Sequence, residues 1–190
     1  VVVELGELEH LVVGRAATLA ASYMAAGFVH GVLNSDNINV TGESFDYGPW
    51  RFAPTWDPGF TAAYFDHAGL YAFGRQPEAI HWDVMQLAVS LRTISAAEPL
   101  IAVLESFAER YQLAVSHAIL WRLGVTPRDP QQDRGLVQTV ERALRTSESD
   151  LDGFFFDTFG GVAPEGEAFA KVRAALTPYV ARKPRDQILS

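Results

Sequence analysis

The chain has 190 residues, 48% of them apolar and 12% aromatic, with no cysteine and a formal net charge of −8. That length fits one domain with a sizeable core, and the composition excludes a disordered chain. Without cysteine there are no disulfides, thiolate nucleophiles or cysteine-ligated metals, and the negative charge argues against nucleic acid as a main partner.

The first element is read from apolar residues at Leu5, Leu8, Val12, Leu19 and Tyr23, a helical stripe that Gly27 ends. From Phe28 to Gly48 the pattern changes to short apolar runs separated by Asn, Asp and Gly. Two strands are expected there, near Ile38–Val40 and Ser44–Asp46, joined by a turn at Thr41-Gly42. Residues 51–77 are punctuated by Pro and Gly yet rich in aromatics, the mark of a functional loop.

A helix follows with Ile80, Val84, Leu87 and Leu91 on one face. The next stripe, from Leu100 to Trp121, steps by four and three and predicts one long helix. Asp129-Pro130 reads as an N-cap with Pro at the first helical position, ahead of Leu136, Val140 and Leu144. Shorter helices are expected over Leu151–Phe159 and from about Glu165 to Val180. The sum is a mainly α domain with one small β-hairpin. No apolar run can span a bilayer, no signal peptide is evident, and the acidic charge is compatible with a cytoplasmic setting.

The chemistry is concentrated between His30 and Gly48: His30-Gly-Val-Leu-Asn-Ser-Asp36-Asn37, then a predicted hairpin, then Asp46-Tyr47-Gly48. This order resembles the kinase superfamily, in which a His-x-Asp loop precedes an Asn and a hairpin leads to an Asp-Phe-Gly turn. There the Asn amide oxygen and the Asp carboxylate converge on magnesium, a hard cation suited to oxygen ligands. Asn37 and Asp46 hold those positions. The usual kinase base, two residues after the His, is replaced by Val32, which cannot accept a proton, and a carboxylate stands instead at Asp36.

Longer blocks resemble one family closely, the SelO/YdiU protein adenylyltransferases. Its signature is similar to Gly27-Phe28-Val29-His30-Gly31-Val32-Leu33-Asn34-Ser35-Asp36-Asn37, to Asp46-Tyr47-Gly48-Pro49, to Asp66-His67-Ala68-Gly69-Leu70-Tyr71 and to Gln76-Pro77. Leu70 stands where the family pattern has Arg. The resemblance implies a kinase-like C-terminal lobe that binds ATP with Mg2+ or Mn2+. It also implies transfer of AMP to Ser, Thr or Tyr hydroxyls of protein substrates, with release of pyrophosphate. By position, Asp36 corresponds to the proton acceptor and Asn37 and Asp46 to the metal ligands, Asp46 also lying against the nucleotide phosphates.

Kinase-like nucleotide sites also need a small lobe with a glycine-rich loop and a phosphate-binding lysine. Neither precedes His30, and the only lysines are Lys171 and Lys183. The chain, which starts at Val1, is therefore expected to be the large-lobe part of a longer protein or a shortened relative. Residues 1–182 would form the lobe and 183–190 a flexible tail. A competing reading is an inactive pseudokinase lobe that serves as a binding or scaffold module. Ordinary phosphoryl transfer is disfavoured by Val32.

The remaining features have structural readings. His30 is expected to brace its loop. His67 and His81 lack a third metal ligand at a sensible spacing. Phe154-Phe155-Phe156 reads as core, and Arg134, Arg142 and Arg145 as a solvated face. Asp66 either binds something or caps the turn before Gly69.

Overall fold

The structure, a computed structural model, describes residues 5–183. Side chains at positions 5, 6, 8 and 9 lie outside that description, as do the Leu5 and Leu8 points of the predicted stripe and residues 184–190 of the predicted tail. The described chain is mainly helical. Its helices are α1 (Leu5–Ala26), α2 (Gln76–Leu91), α3 (Ala97–Glu105), α4 (Phe107–Arg122), α5 (Pro130–Ser147), α6 (Leu151–Thr158) and α7 (Ala170–Leu176). Its strands are β1 (Phe28–His30) and β2 (Trp50–Phe52). No described helix is long and apolar enough to cross a membrane.

Two compact units divide these residues: one runs to Phe52 and resumes from Pro58 to Val115, and the other holds Ala53–Asp57 and the chain from Ser116 onward. In the first unit α1 packs on α2 and α3. Val13, Ala16, Ala17, Ala20 and Tyr23 of α1 meet Leu33, Ile80, Val84 and Phe107 in one buried cluster. The small alanines let the helices approach, and burial of the larger side chains contributes about 1.5–3 kcal/mol each. Gly27, at φ 68, ends α1 in the left-handed conformation glycine adopts without strain.

In the second unit α5 packs on α7. Leu136, Val140 and Leu144 of α5 and Val172 and Leu176 of α7 are buried. Asp129 caps α5 as expected, accepting from the amides of Gln131 at 3.1 Å and Gln132 at 3.0 Å. The segment Ala53–Asp57 belongs here: Leu151 N donates to the Pro54 carbonyl at 2.9 Å, and Ala53 and Trp56 are buried.

Three expectations are corrected. The strands predicted at Ile38–Val40 and Ser44–Asp46 reduce to a single antiparallel bridge, Ile38 to Ser44. Val40 and Phe45 are exposed and have nothing to pack against, and Asp46 leaves extended backbone at φ 58. The two-stranded antiparallel sheet forms instead from β1 and β2, with Phe28 opposite Phe52 and His30 opposite Trp50.

The stripe from Leu100 to Trp121 is two helices, not one. Ser106 interrupts it, its hydroxyl donating to the Val103 carbonyl at 2.6 Å in competition with the helical ladder. The helix expected over Glu165–Val180 is a 3-10 turn at Glu167–Phe169 followed by α7, which stops before Pro178.

Candidate functional site

The predicted site residues all lie in the loop between β1 and β2, residues 31–49, so strand pairing ties both ends of that loop together. The ladder continues one step into it, where Gly31 N donates to the Pro49 carbonyl at 2.9 Å. Glycine is required at 31 because a Cβ there would lie 2.3 Å from that carbonyl oxygen. From α2, the buried Gln76 grips β1 with both ends of its amide. Its Oε1 accepts from His30 N at 2.9 Å and its Nε2 donates to the Phe28 carbonyl at 2.8 Å. His30 is fully buried, and its Nδ1 accepts from Val32 N at 3.2 Å. Burial lowers its pKa, opposed by the nearby Phe45 backbone and the charge of Asp46, while its Nε2 has no hydrogen-bond partner among the described residues. A buried brace is the role expected of it.

Asn37 is buried at the loop's base. Its Nδ2 donates to the Val32 carbonyl at 3.0 Å, which leaves Oδ1 as the atom it can offer a cation. The Asn37 carbonyl accepts from Phe45 N at 3.1 Å. That bond, with the Ile38–Ser44 bridge, holds the Asn37 segment alongside the residue preceding Asp46. Between them, Gly42 at φ 79 forms the turn, and Tyr23 of α1 hydrogen-bonds Ser44. Asp36 and Asp46 are both exposed. A carboxylate, an amide oxygen and a second carboxylate thus lie on one tethered loop, an oxygen-only donor set suited to a divalent cation whose remaining ligands are phosphate and water. Among the described residues, no group of three or more His, Cys, Asp or Glu is gathered to hold a metal by itself.

A second loop supports the first. Asp66 accepts from Leu70 N at 2.7 Å and Tyr71 N at 2.8 Å, so it caps its turn, and the Tyr71 hydroxyl donates to Asn34 Oδ1. His67 is exposed and His81 stacks on Phe107 with ring centroids 4.6 Å apart, which makes no metal pair of them. Arg145 pairs with Glu141 on the surface at 3.7 Å. Phe154 and Phe155 are buried, while Phe156 is exposed.

One residue of this neighbourhood escaped the sequence reading. Asp83 of α2 is buried, and neither carboxylate oxygen has a hydrogen-bond partner among the described residues. Burial, and then the negative charge of Asp36, push its carboxyl up to about 7. It lines a cavity of about 230 Å³ together with Ser35, Ile38 and Asn39 of the site loop. A signal was available: Asp83 falls three residues after Ile80, on the apolar face of α2.

The family model described as Protein adenylyltransferase SelO matches residues 6–168. Relatives named Protein nucleotidyltransferase YdiU are similar as well. The one from Synechocystis is 41% identical over 150 residues, covering 76% of this chain and 31% of the relative. That from Synechococcus elongatus is 50% identical over 110 residues, 58% of this chain and 22% of the relative. That from Rhodococcus jostii is 36% identical over 183 residues, 93% of this chain and 33% of the relative. By these names the relatives are nucleotidyltransferases. The chain belongs to the SelO family, and it spans about a third of the length of the curated relatives it matches.

Proposed function

We propose that this chain is the metal-binding and catalytic portion of an ATP-dependent protein adenylyltransferase, built as the large lobe of a kinase-like fold. The observation that supports this most directly is the Asn37 carbonyl to Phe45 amide bond, which ties the Asn37 segment to the residue preceding Asp46 and so favours these two as metal ligands. Asn37 Oδ1 and the Asp46 carboxylate would hold Mg2+ or Mn2+, with Asp46 also against the nucleotide phosphates. The bound cation would offset the charge of the triphosphate. Asp36, exposed beside Asn37, takes the proton of the incoming Ser, Thr or Tyr hydroxyl. The hydroxyl oxygen bonds to the α-phosphorus, the bond to the bridging oxygen breaks, and pyrophosphate leaves.

In this reading the remaining nucleotide contacts, including a glycine-rich loop and a lysine, come from a small lobe outside these 190 residues. The share of the relatives that the chain spans agrees with that division.

The test uses ATP labelled on the α-phosphate and, separately, on the γ-phosphate. It is run with the protein alone and as encoded by the complete open reading frame, in wild type and Asp46→Ala. The expected result is α-label on protein that is lost in Asp46→Ala and Asp36→Ala. Transfer of γ-label would overturn adenylyl transfer, and absence of both labels from the complete protein would establish the scaffold reading.

A further inference from the structure

Along α1, a cleft of about 520 Å³ is lined by His10, Arg15, Thr18, Ser22, Thr41 and Arg110, among others. Arg110 reaches it from α4. Its guanidinium lies across Gly14, where even a Cβ would stand 3.0 Å from Nη1, and it is fixed by Nε donating to Ser106 Oγ at 2.8 Å. Its Nη2 is 2.6 Å from Nδ1 of His10, one turn before Gly14. Arg15, the next residue along, is exposed. Arg15 and Arg110 therefore line one cleft, beside a single turn of α1.

Neither takes part in the ion pairs seen among the described residues, such as Arg75–Glu78, Arg122–Asp152 and Arg145–Glu141. Glu43, near the cleft wall, accepts from the Thr41 hydroxyl at 2.9 Å and does not line the cleft. Two arginines lining one cleft make a locally positive spot in a chain of net charge −8. Arginine pairs readily with phosphate, and two arginines lining one cleft with Thr18, Ser22 and Thr41 suit a group with two negative charges and several acceptor oxygens.

We propose that this cleft is a binding site for a phosphate monoester dianion, separate from the loop that carries Asp36, Asn37 and Asp46 and independent of the reaction assigned to it. The cleft nevertheless touches that loop. Its far wall is Thr41-Gly42, the turn joining Asn37 to Asp46, and Gly42 packs so closely that a Cβ there would lie 2.5 Å from Arg15 Cβ. A phosphate seated between Arg15 and Arg110 rests against the tip of the metal-ligand loop.

The experiment is isothermal titration in EDTA, with Asp46→Ala as background so that the nucleotide site contributes nothing. The probes are phenyl phosphate, inorganic phosphate and a short phosphoserine peptide, with phenyl sulfate as the singly charged control. Saturable binding of a phosphate probe is expected, weaker for the sulfate, weakened at least about tenfold by Arg15→Gln and falling with added salt. Arg15 is exposed, so this variant keeps the fold; circular dichroism verifies it, and Arg15→Lys restores part of the affinity. Preference for the peptide identifies a phosphorylated polypeptide as the source, and preference for phenyl or inorganic phosphate a small molecule. No saturable binding, or binding unchanged in Arg15→Gln, overturns the proposal.

Discussion

Gln76 and His30 are joined across 46 residues of sequence by a 2.9 Å hydrogen bond from the His30 amide to the Gln76 side chain. The other end of the same side chain holds the Phe28 carbonyl, so the first turn of α2 substitutes for a neighbouring strand beside β1. Both strand groups are main-chain atoms with no water to turn to. Gln76→Leu fills a similar volume and leaves both unpaired, at about 1–3 kcal/mol each. The expected loss is roughly 2–6 kcal/mol in urea denaturation, and a loss below that of an ordinary surface substitution would show that the strand is held by its β2 pairing alone.

Asp83 makes stability depend on pH in an unusual sense. Its carboxyl sits at about 7 in the folded chain against an ordinary value of 3.8, because burial and the charge of Asp36 both disfavour ionisation. The Tyr71 phenol also faces Asp83 and is itself pushed up. A group whose pKa is raised by folding contributes stability that is fully present below about pH 4 and is lost as pH climbs through 7. Wild type should therefore lose stability between pH 5 and 8 relative to Asp83→Asn, whose amide carries no charge at either pH. Parallel pH profiles for the two proteins would sink this account.

Gly31 has no room for a side chain. Gly31→Ala places a methyl 2.3 Å from the Pro49 oxygen and 3.2 Å from Ala63 Cβ, at the point where the site loop closes. Overpacking of this kind costs about 1–3 kcal/mol. The β1–β2 amides should also exchange faster in hydrogen-exchange measurements, and unchanged protection would mean the loop ends relax without losing their pairing.

In the second unit, the buried Asp133 accepts from Arg128 N at 3.1 Å and from the Tyr179 hydroxyl at 2.9 Å. Burial and this hydrogen bond push the phenol's pKa up. Tyr179→Phe removes one donor from a buried carboxylate and should destabilise the unit by about 1 kcal/mol. A double-mutant cycle with Asp133→Asn measures the coupling, and additivity of the two changes would rule the pair out as a stabilising contact.

Much of this was legible in the sequence, for local reasons. The end of α1 at Gly27 and the start of α5 at Asp129-Pro130 follow from backbone preferences of single residues. The order of Asp36, Asn37 and Asp46 marked the candidate site because the proposed chemistry calls for oxygen donors close together on one loop. The sheet was not legible: β1 and β2 are three residues each, and all of β2 is exposed, so neither periodicity nor apolar runs announce it. The roles of Gln76 and Asp83 were hidden for a related reason. Gln76 acquires its partners only when α2 reaches β1, and Asp83 is notable for what it fails to meet.

The excursion of Ala53–Asp57 into the second unit has a practical side. Stopping the chain after Val115 would remove the partner of the Pro54 carbonyl and expose Ala53 and Trp56, which are buried by later residues. An isolated first unit would carry a sticky apolar bulge between β2 and Pro58, prone to self-association. Dissection calls for a different cut: replace 53–57 with a short glycine-serine bridge, then truncate. For the same reason, a ribosome-bound chain cannot finish placing Trp56 until residues far downstream have emerged.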